Sequence, residues 1–593
     1  MMKAGAERPE RPAGVEQGPP GWASDVLAEL LRESGIEYVA LNPGSSYRGL
    51  HDSLVNHLGN ERPQMLLCLH EEHAVAIAHG YAKVTDRPLA VALHSNVGLM
   101  HASMAIFNAF CDRVPMLLLG ASGPLDAARR RPWIDWLHTA TDQAALVRPF
   151  LKWDDQPLSP AAAYDALRQA EMVTRSVPRA PTYVCFDASV LEAELDPSQP
   201  LPRLAGWDPA VAPEPPQRTV AEVAARLLRA ERPVLLIGRT DRSERGWEER
   251  MQLAETLEAQ VFTHPKLPAA FPTRHPLHAA PPSTFTSPQL REALEEADAV
   301  LALDWLDLGG TLGGSEEVAA KTISVTLDHQ LHNGWGKESF APAAVGLRLA
   351  ADVDATVGAL VRELPPARRS GWPSIAKPPR AAVEGSAGGE LGVADIAAAL
   401  EGAVGETEIC LVRVPNSWAG DHWAADHPLD MLGADGGEGI GSGLGMAIGA
   451  ALALRESDRL AVAVLGDGDY VMGANALWTA AHYGIRLLVI VANNRSFFND
   501  EIHQQRVAEI RSRPTENRWI GQRIADPDVD LAALARAQGV AGHGPIASRE
   551  ALARTVPDAL AEARAGAAVV VDVRVGASLE AETSRAASHS ERG

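Results

Sequence analysis

The sequence predicts an α/β protein of three doubly wound parallel-sheet domains, and three observations lead there. Its 593 residues exceed what one hydrophobic core supports. Two stretches rich in proline and small polar residues, 194–218 and 364–390, read as linkers that cut the chain into blocks of domain size. Within every block, short β-rich apolar runs alternate with helical patterns, as parallel strands covered by helices on both faces require.

The linkers set domain boundaries at 21–193, 219–363 and 391–577, with polar disordered tails over 1–20 and 578–593. In the first block EYVALNP, QMLLCLH, PLAVALHS and PMLLLGAS read as buried strands, and EEHAVAIAHGYAKV and GLMHASMAIFNAF carry helical periodicity. The middle block offers RPVLLIG, DAVLALD and KTISVTLD, and the last EICLVRV, RLAVAVLG, RLLVIVAN and AAVVVDVRV. In such sheets ligands gather outside the carboxyl ends of the strands. Function is therefore sought in the turns that follow these runs.

Composition narrows the class. A hydrophobic content of 46% with 22% charged residues is that of a globular enzyme, and no apolar run approaches the ~20 residues of a membrane span. The formal charge of −22 argues against a nucleic-acid surface. The proline- and glycine-rich start has no apolar core and is not a secretory signal. Cys68, Cys111, Cys185 and Cys410 are scattered through apolar stretches with no CxxC or zinc spacing, as reduced cysteines of a cytoplasmic protein are.

The chemistry starts in GDGDYVMGANALWTAAHYGIRLLVIVANN, residues 466–494. A strand ends in a glycine turn, a helix follows, and a second strand ends in paired asparagines. The turn supplies Gly466 and the backbone N–H groups of Gly468 and Asp469, which suit a diphosphate. Asp467 offers a hard oxygen for Mg2+. A right-handed crossover puts the second strand beside the first, which brings Asn494 and the carbonyl of Ser496 to the same cation.

Taken together these features resemble the diphosphate-binding motif of thiamine diphosphate (ThDP) enzymes. Two further stretches fit that resemblance. The family has a glutamate that binds the aminopyrimidine ring, and in HEEHAVAIAHGYAKVTDRP the count back from Gly80 lands on Glu71; Glu72, one position off, reads as a surface or supporting residue. In GGEGIGSGLGMAIGAALAL, Ile440 takes the place of the bulky residue that bends the cofactor, and the Glu438 carbonyl would meet its 4′-amino group. The resemblance implies pyrimidine-binding, central and diphosphate-binding domains in that order. It also implies cofactors ThDP and Mg2+, and a homodimer or homotetramer whose active sites lie between subunits.

LNPGSSYRGL, VALHSNVG and FPTRHPLHAA narrow the branch, because they look like benzoylformate decarboxylase. The resemblance implies that Ser45 orients the substrate carboxylate and that His94 and His275 move protons, a task suited to a side chain of pKa ~6.5. Glu71, His94, His275 and Ser45 are thus the candidate catalytic residues. The likeness fails after the metal loop, where NNRSFFNDEIHQQR places Asn499, Asp500 and His503 at the positions expected to meet the substrate. Burying them against a phenyl ring would cost ~1–3 kcal/mol for each unpaired group, so the pocket is read as polar. Phe497 and Phe498 read as core, and Arg274 as half of a surface ion pair.

The function expected is ThDP- and Mg2+-dependent decarboxylation of a 2-oxo acid with a polar side chain, giving an aldehyde through an enamine intermediate. Carboligation like that of acetolactate synthase, and cleavage of a cyclic dione, share the same motifs and stay open. A non-catalytic ThDP-binding paralogue would have lost Glu71, His94 or His275, and all are present. RPVLLIGRTDRSERG has no glycine-rich loop after its strand, so no FAD is expected.

Overall fold

The structure, a computed structural model, describes residues 10–15, 18–196, 198, 200–203, 205–331, 342–365, 389–405 and 407–576. The tail expected over 578–593 lies outside them, as does most of the second linker. The expected N-terminal tail is described from Glu10, which accepts a hydrogen bond of 2.9 Å from the Tyr483 hydroxyl. Glu10 is therefore anchored on the third domain.

The first sheet holds β1 (Tyr38–Leu41), β2 (Gln64–Leu67), β3 (Ala90–Leu93), β4 (Met116–Ser122), β5 (Trp153–Asp155) and β6 (Pro181–Asp187) in the order β2-β1-β3-β4-β6-β5. The central sheet holds β7 (Pro233–Ile237), β8 (Gln260–Thr263), β9 (Ala299–Leu303), β10 (Thr322–Val325) and β11 (Leu347–Leu349) in the order β11-β10-β9-β7-β8. The third holds β12 (Ile409–Arg413), β13 (Leu460–Gly466), β14 (Leu487–Asn493), β15 (Ala541–Ile546) and β16 (Ala568–Arg574) in the order β12-β13-β14-β16-β15. Every pairing is parallel. The predicted class of three parallel α/β sheets is the class observed.

β3 and β14 are buried along their whole length, as strands covered on both faces must be. β5, β6, β8, β11 and β15 were not among the predicted runs. β5 and β11 are short edge strands, and β15 (AGHGPI) is glycine-rich and partly exposed. β6 (PTYVCFD) is buried throughout, yet it opens on proline and mixes in polar residues.

Five helices position the site: α1 (Glu71–Thr85), α2 (Ser95–Cys111), α3 (Gly443–Ala453), α4 (Asp467–Gly473) and α5 (Phe498–Ile510). α1 of the first domain and α3 of the third share one apolar core. They touch backbone to backbone: a Cβ on Gly80 would collide with the Met446 carbonyl, and one on Gly449 with the Ile77 carbonyl. Near this contact Asp112 pairs with Lys83 at 2.9 Å and His79 at 2.8 Å, deep inside the protein. Burial pushes this carboxyl up, but those partners win and hold it down to about 2. The central domain is tied to the first by Arg113–Asp328 and by Arg239, which donates to the Cys111 carbonyl at 3.1 Å.

Candidate active site

β13 and β14 lie side by side with Gly466 opposite Ala492, so the residues after them emerge at one sheet edge. The Ser496 N–H donates to Asp467 Oδ2 at 3.1 Å and to Asn494 Oδ1 at 3.0 Å. Two side-chain oxygens from different turns thus converge on one amide. Asp467 is buried, and the partners shown for its carboxylate are backbone N–H groups of Gly468 and Ser496. Burial pushes its carboxyl up to about 6, against the pull of those amides. A buried carboxylate beside an amide oxygen, held by neutral donors, suits a hard divalent cation. These residues fit the expected Mg2+, while the Gly468 N–H read as a diphosphate donor is here given to Asp467 Oδ1.

The glycine turn before α3 is held to this loop by Asp469, whose Oδ1 accepts from the Gly441 N–H at 2.7 Å and the Gly443 N–H at 3.2 Å. Asp469 therefore contributes its carboxylate to the turn, in addition to the backbone N–H read from the sequence. Arg413, at the end of β12, approaches the same carboxylate at 3.5 Å. Glu438 has a positive φ of 55° and pairs with Lys266 of the central domain. Ile440 stays 37% exposed although it is a large apolar residue.

Glu71 begins α1 and is only 7% exposed. Its Oε2 pairs with His101 Nδ1 at 3.0 Å, while a Cβ on Gly98 would sit 3.2 Å from Oε1. Glu72, half-buried, accepts from the Ser442 hydroxyl at 3.4 Å. Burial raises the Glu72 carboxyl, the Ser442 bond opposes that, and Asp469 adds to it. Glu72 thus joins α1 to the turn before α3, a supporting role.

His94 follows β3 as the N-cap of α2 and shares a 2.9 Å hydrogen bond with Ser46 Oγ. Ser46 also accepts from the Ser95 N–H at 3.2 Å. Ser45, the serine predicted for the substrate, is exposed at the start of the same turn. The His138 ring stands edge-on to His94, 4.8 Å away, and its Nδ1 is buried without a hydrogen-bond partner. Burial lowers the His94 pKa and His138 lowers it further, against the pull of Glu71.

Within this chain His94 and His275 each have other partners. Both His275 nitrogens are engaged elsewhere, Nε2 with Glu255 at 3.1 Å and Nδ1 with the Leu277 N–H at 3.2 Å. The turn that carries it is pinned to the third domain, where the Thr273 N–H donates to the Ala425 carbonyl at 2.9 Å. Arg274 forms its exposed ion pair with Asp426 at 2.7 Å.

Asn499, Asp500 and His503 are all exposed on α5. Phe498 is core, with Arg518 over its ring at 5.6 Å, whereas Phe497 covers Gly468, so that a Cβ on Gly468 would meet its ring at 2.5 Å. Sequence reading missed Ser46, His101, His138 and Glu501. Glu501 is buried and paired with Arg518 and Arg523, both at 3.4 Å. For His101 a signal existed, since it lies two helical turns after His94 and so on the same side of α2. For His138, alone in WLHT, there was none.

Comparison with known proteins agrees with this architecture. Residues 22–146, 220–334 and 415–573 match the N-terminal TPP binding, central and C-terminal TPP binding domains of thiamine pyrophosphate enzymes. The chain is 26% identical over 568 residues to benzoylformate decarboxylase of Pseudomonas aeruginosa, covering 90% of this chain and 96% of that one. It is 28% identical over 492 residues to the same organism's probable 2-ketoarginine decarboxylase, covering 80% and 82%. The solved ThDP-dependent 4-hydroxybenzoylformate decarboxylase of Rhodococcus jostii RHA1 superposes with a TM-score of 0.76 at 25% identity, covering 94% of this chain and 100% of that one. Matched in all three domains and in their order along the chain, this protein belongs to the thiamine pyrophosphate enzymes.

Proposed function

We propose that the protein decarboxylates a 2-oxo acid with a polar side chain and releases an aldehyde. Its broad class is that of a ThDP-dependent 2-oxo acid decarboxylase or carboligase. The observation that carries the reading is the convergence of Asp467 and Asn494 oxygens on the Ser496 amide. Asp467, Asn494 and the Ser496 carbonyl would hold Mg2+, with Gly466, Gly468 and Asp469 beside the diphosphate. Ile440 and the Glu438 carbonyl would face the rings. When bound, the cofactor supplies the carbanion chemistry and the sink for electrons as carbon dioxide leaves.

The protein's own residues do the rest. Glu71 holds a proton at the aminopyrimidine nitrogen through Oε1. Ser45 orients the substrate carboxylate, and Ser46 fixes the His94 ring. His94 and His275 deliver the proton that completes the aldehyde, and His138, which packs on His94, orients its ring. Asn499, Asp500 and His503 face the substrate's side chain.

Leu69, Val97 and Met100 of the first domain, and Ile440 and Met472 of the third, are exposed apolar residues beside these groups. They support a cleft closed by a second copy of the chain, hence a homodimer or homotetramer. The four cysteines are buried and unpaired, which supports a cytoplasmic location. Among the described residues no helix is long and apolar enough to cross a membrane.

Three measurements test the reading. Turnover with 2-ketoarginine and with benzoylformate should favour the polar acid in kcat/KM; preference for benzoylformate overturns the polar pocket. Pyruvate with added aldehydes should yield mostly aldehyde, whereas mostly hydroxyketone or acetolactate makes the protein a carboligase. Asp467→Asn should weaken ThDP–Mg2+ binding about 10- to 100-fold, the effect of losing one charged ligand, read by titration of tryptophan fluorescence. Unchanged affinity removes Asp467 from the cation site. No flavin is expected, and a yellow purified protein would contradict that.

A further inference from the structure

We infer that His101 is a positioning residue for Glu71, holding one carboxylate oxygen so that the other is presented to the cofactor; this rests on the reading of Glu71 as the activating acid. The two oxygens of Glu71 have different surroundings. Oε2 lies 3.0 Å from His101 Nδ1. Oε1 borders Gly98, whose missing side chain leaves the space that a Cβ would fill 3.2 Å away. A carboxylate's terminal torsion is soft, and a bond to one oxygen fixes the plane of both. Reacting groups gain from such fixing because misplacement is costly.

The His101 ring is itself held. It stacks on His70 with centroids 5.0 Å apart and planes at 18°. His70 is fixed in turn, because its Nδ1 accepts the Glu72 N–H at 3.1 Å at the start of α1. A chain of contacts therefore runs from the helix cap through two rings to one oxygen of Glu71. His70, Glu71 and His101 also bring three donor atoms within 4.8 Å of one another, which raises a metal site as the alternative. The cap bond decides against it: with Nδ1 accepting, the neutral His70 carries its proton on Nε2, and ligation there would break the cap. To donate to the carboxylate, His101 must carry its proton on Nδ1.

The test uses two variants of the full chain. His101→Phe keeps a ring on His70 but loses the donor, while His101→Asn places an amide N–H near the position of Nδ1. With ThDP and Mg2+ bound, deuterium exchange at the cofactor's C2 should slow by about 10- to 100-fold in His101→Phe, as for a lost bond to a charged group. It should stay near the parent rate in His101→Asn, and cofactor affinity should be unchanged in both. Independently of the cofactor, the histidine 15N spectrum of the apoprotein should show the His101 proton on Nδ1. Fast exchange in His101→Phe, equal slowing in both variants, or a proton on Nε2 overturns the inference. Glu71→Gln in the same assay separates the two claims: if it exchanges at full rate, the reading of Glu71 falls, and if it is slow while His101→Phe is fast, only the role of His101 falls.

Discussion

Glu71→Gln is expected to lower turnover by about 100- to 10,000-fold, the range for loss of a positioned acid or base, without unfolding the protein. Glutamine has nearly the same shape, and its amide oxygen can still accept from His101. What it cannot do is exchange a proton with a ring nitrogen. The effect should appear in kcat and kcat/KM together, because the lost interaction serves activation rather than substrate binding. Cofactor affinity should fall less than turnover, since the residues proposed to hold the diphosphate and its cation belong to another domain. Steady-state kinetics with the best 2-oxo acid, beside a ThDP–Mg2+ titration, measure both. Full turnover in Glu71→Gln would remove Glu71 from the mechanism even with the fold intact.

Gly80→Ala should strongly destabilise the junction of the first and third domains. The added methyl would collide with the Met446 carbonyl oxygen of α3, and backbone on both sides cannot step aside as a flexible side chain can. Overpacking typically costs 1–3 kcal/mol, and a backbone collision belongs at the upper end, about 3 kcal/mol. Functional loss should accompany it. α1 begins at Glu71, and α3 follows the turn held by Asp469 and Glu72, so a shift between the helices displaces both halves of the site. Denaturant unfolding measures the first effect and ThDP titration the second. A variant as stable as the parent would mean that the helices separate more easily than their packing implies.

Gly80 also shows how much the sequence displayed. In the sequence it served only as a marker from which to count back to Glu71. In the structure it is where one helix backbone rests on another, more than 350 residues away in the chain, as Gly80 and Met446 show. The loop proposed to hold the metal was more legible. Asp467 and Asn494 end neighbouring strands of one right-handed crossover, and local patterning alone specifies that neighbourhood. The strands that escaped notice were short, glycine-rich or mixed in polarity, where the apolar run that betrays a buried strand is weak.

The residues proposed for proton transfer were the least legible. Ser45 and Ser46 are adjacent, and only packing shows that Ser46 meets His94. His275 sits in a motif that resembles the family's, yet Glu255 and the Leu277 amide take its nitrogens. His138 enters from a loop with no periodicity and stands against His94.

The sequence by itself determined three parallel sheets and the acidic turn with its asparagine partner, because apolar periodicity and turn chemistry act over a few residues. Tertiary structure alone decided which histidine faces His94, which oxygen of Glu71 is held, and why Gly80 admits no methyl group. Those contacts join segments far apart in the chain, and no short-range pattern encodes a distance that only the folded core sets.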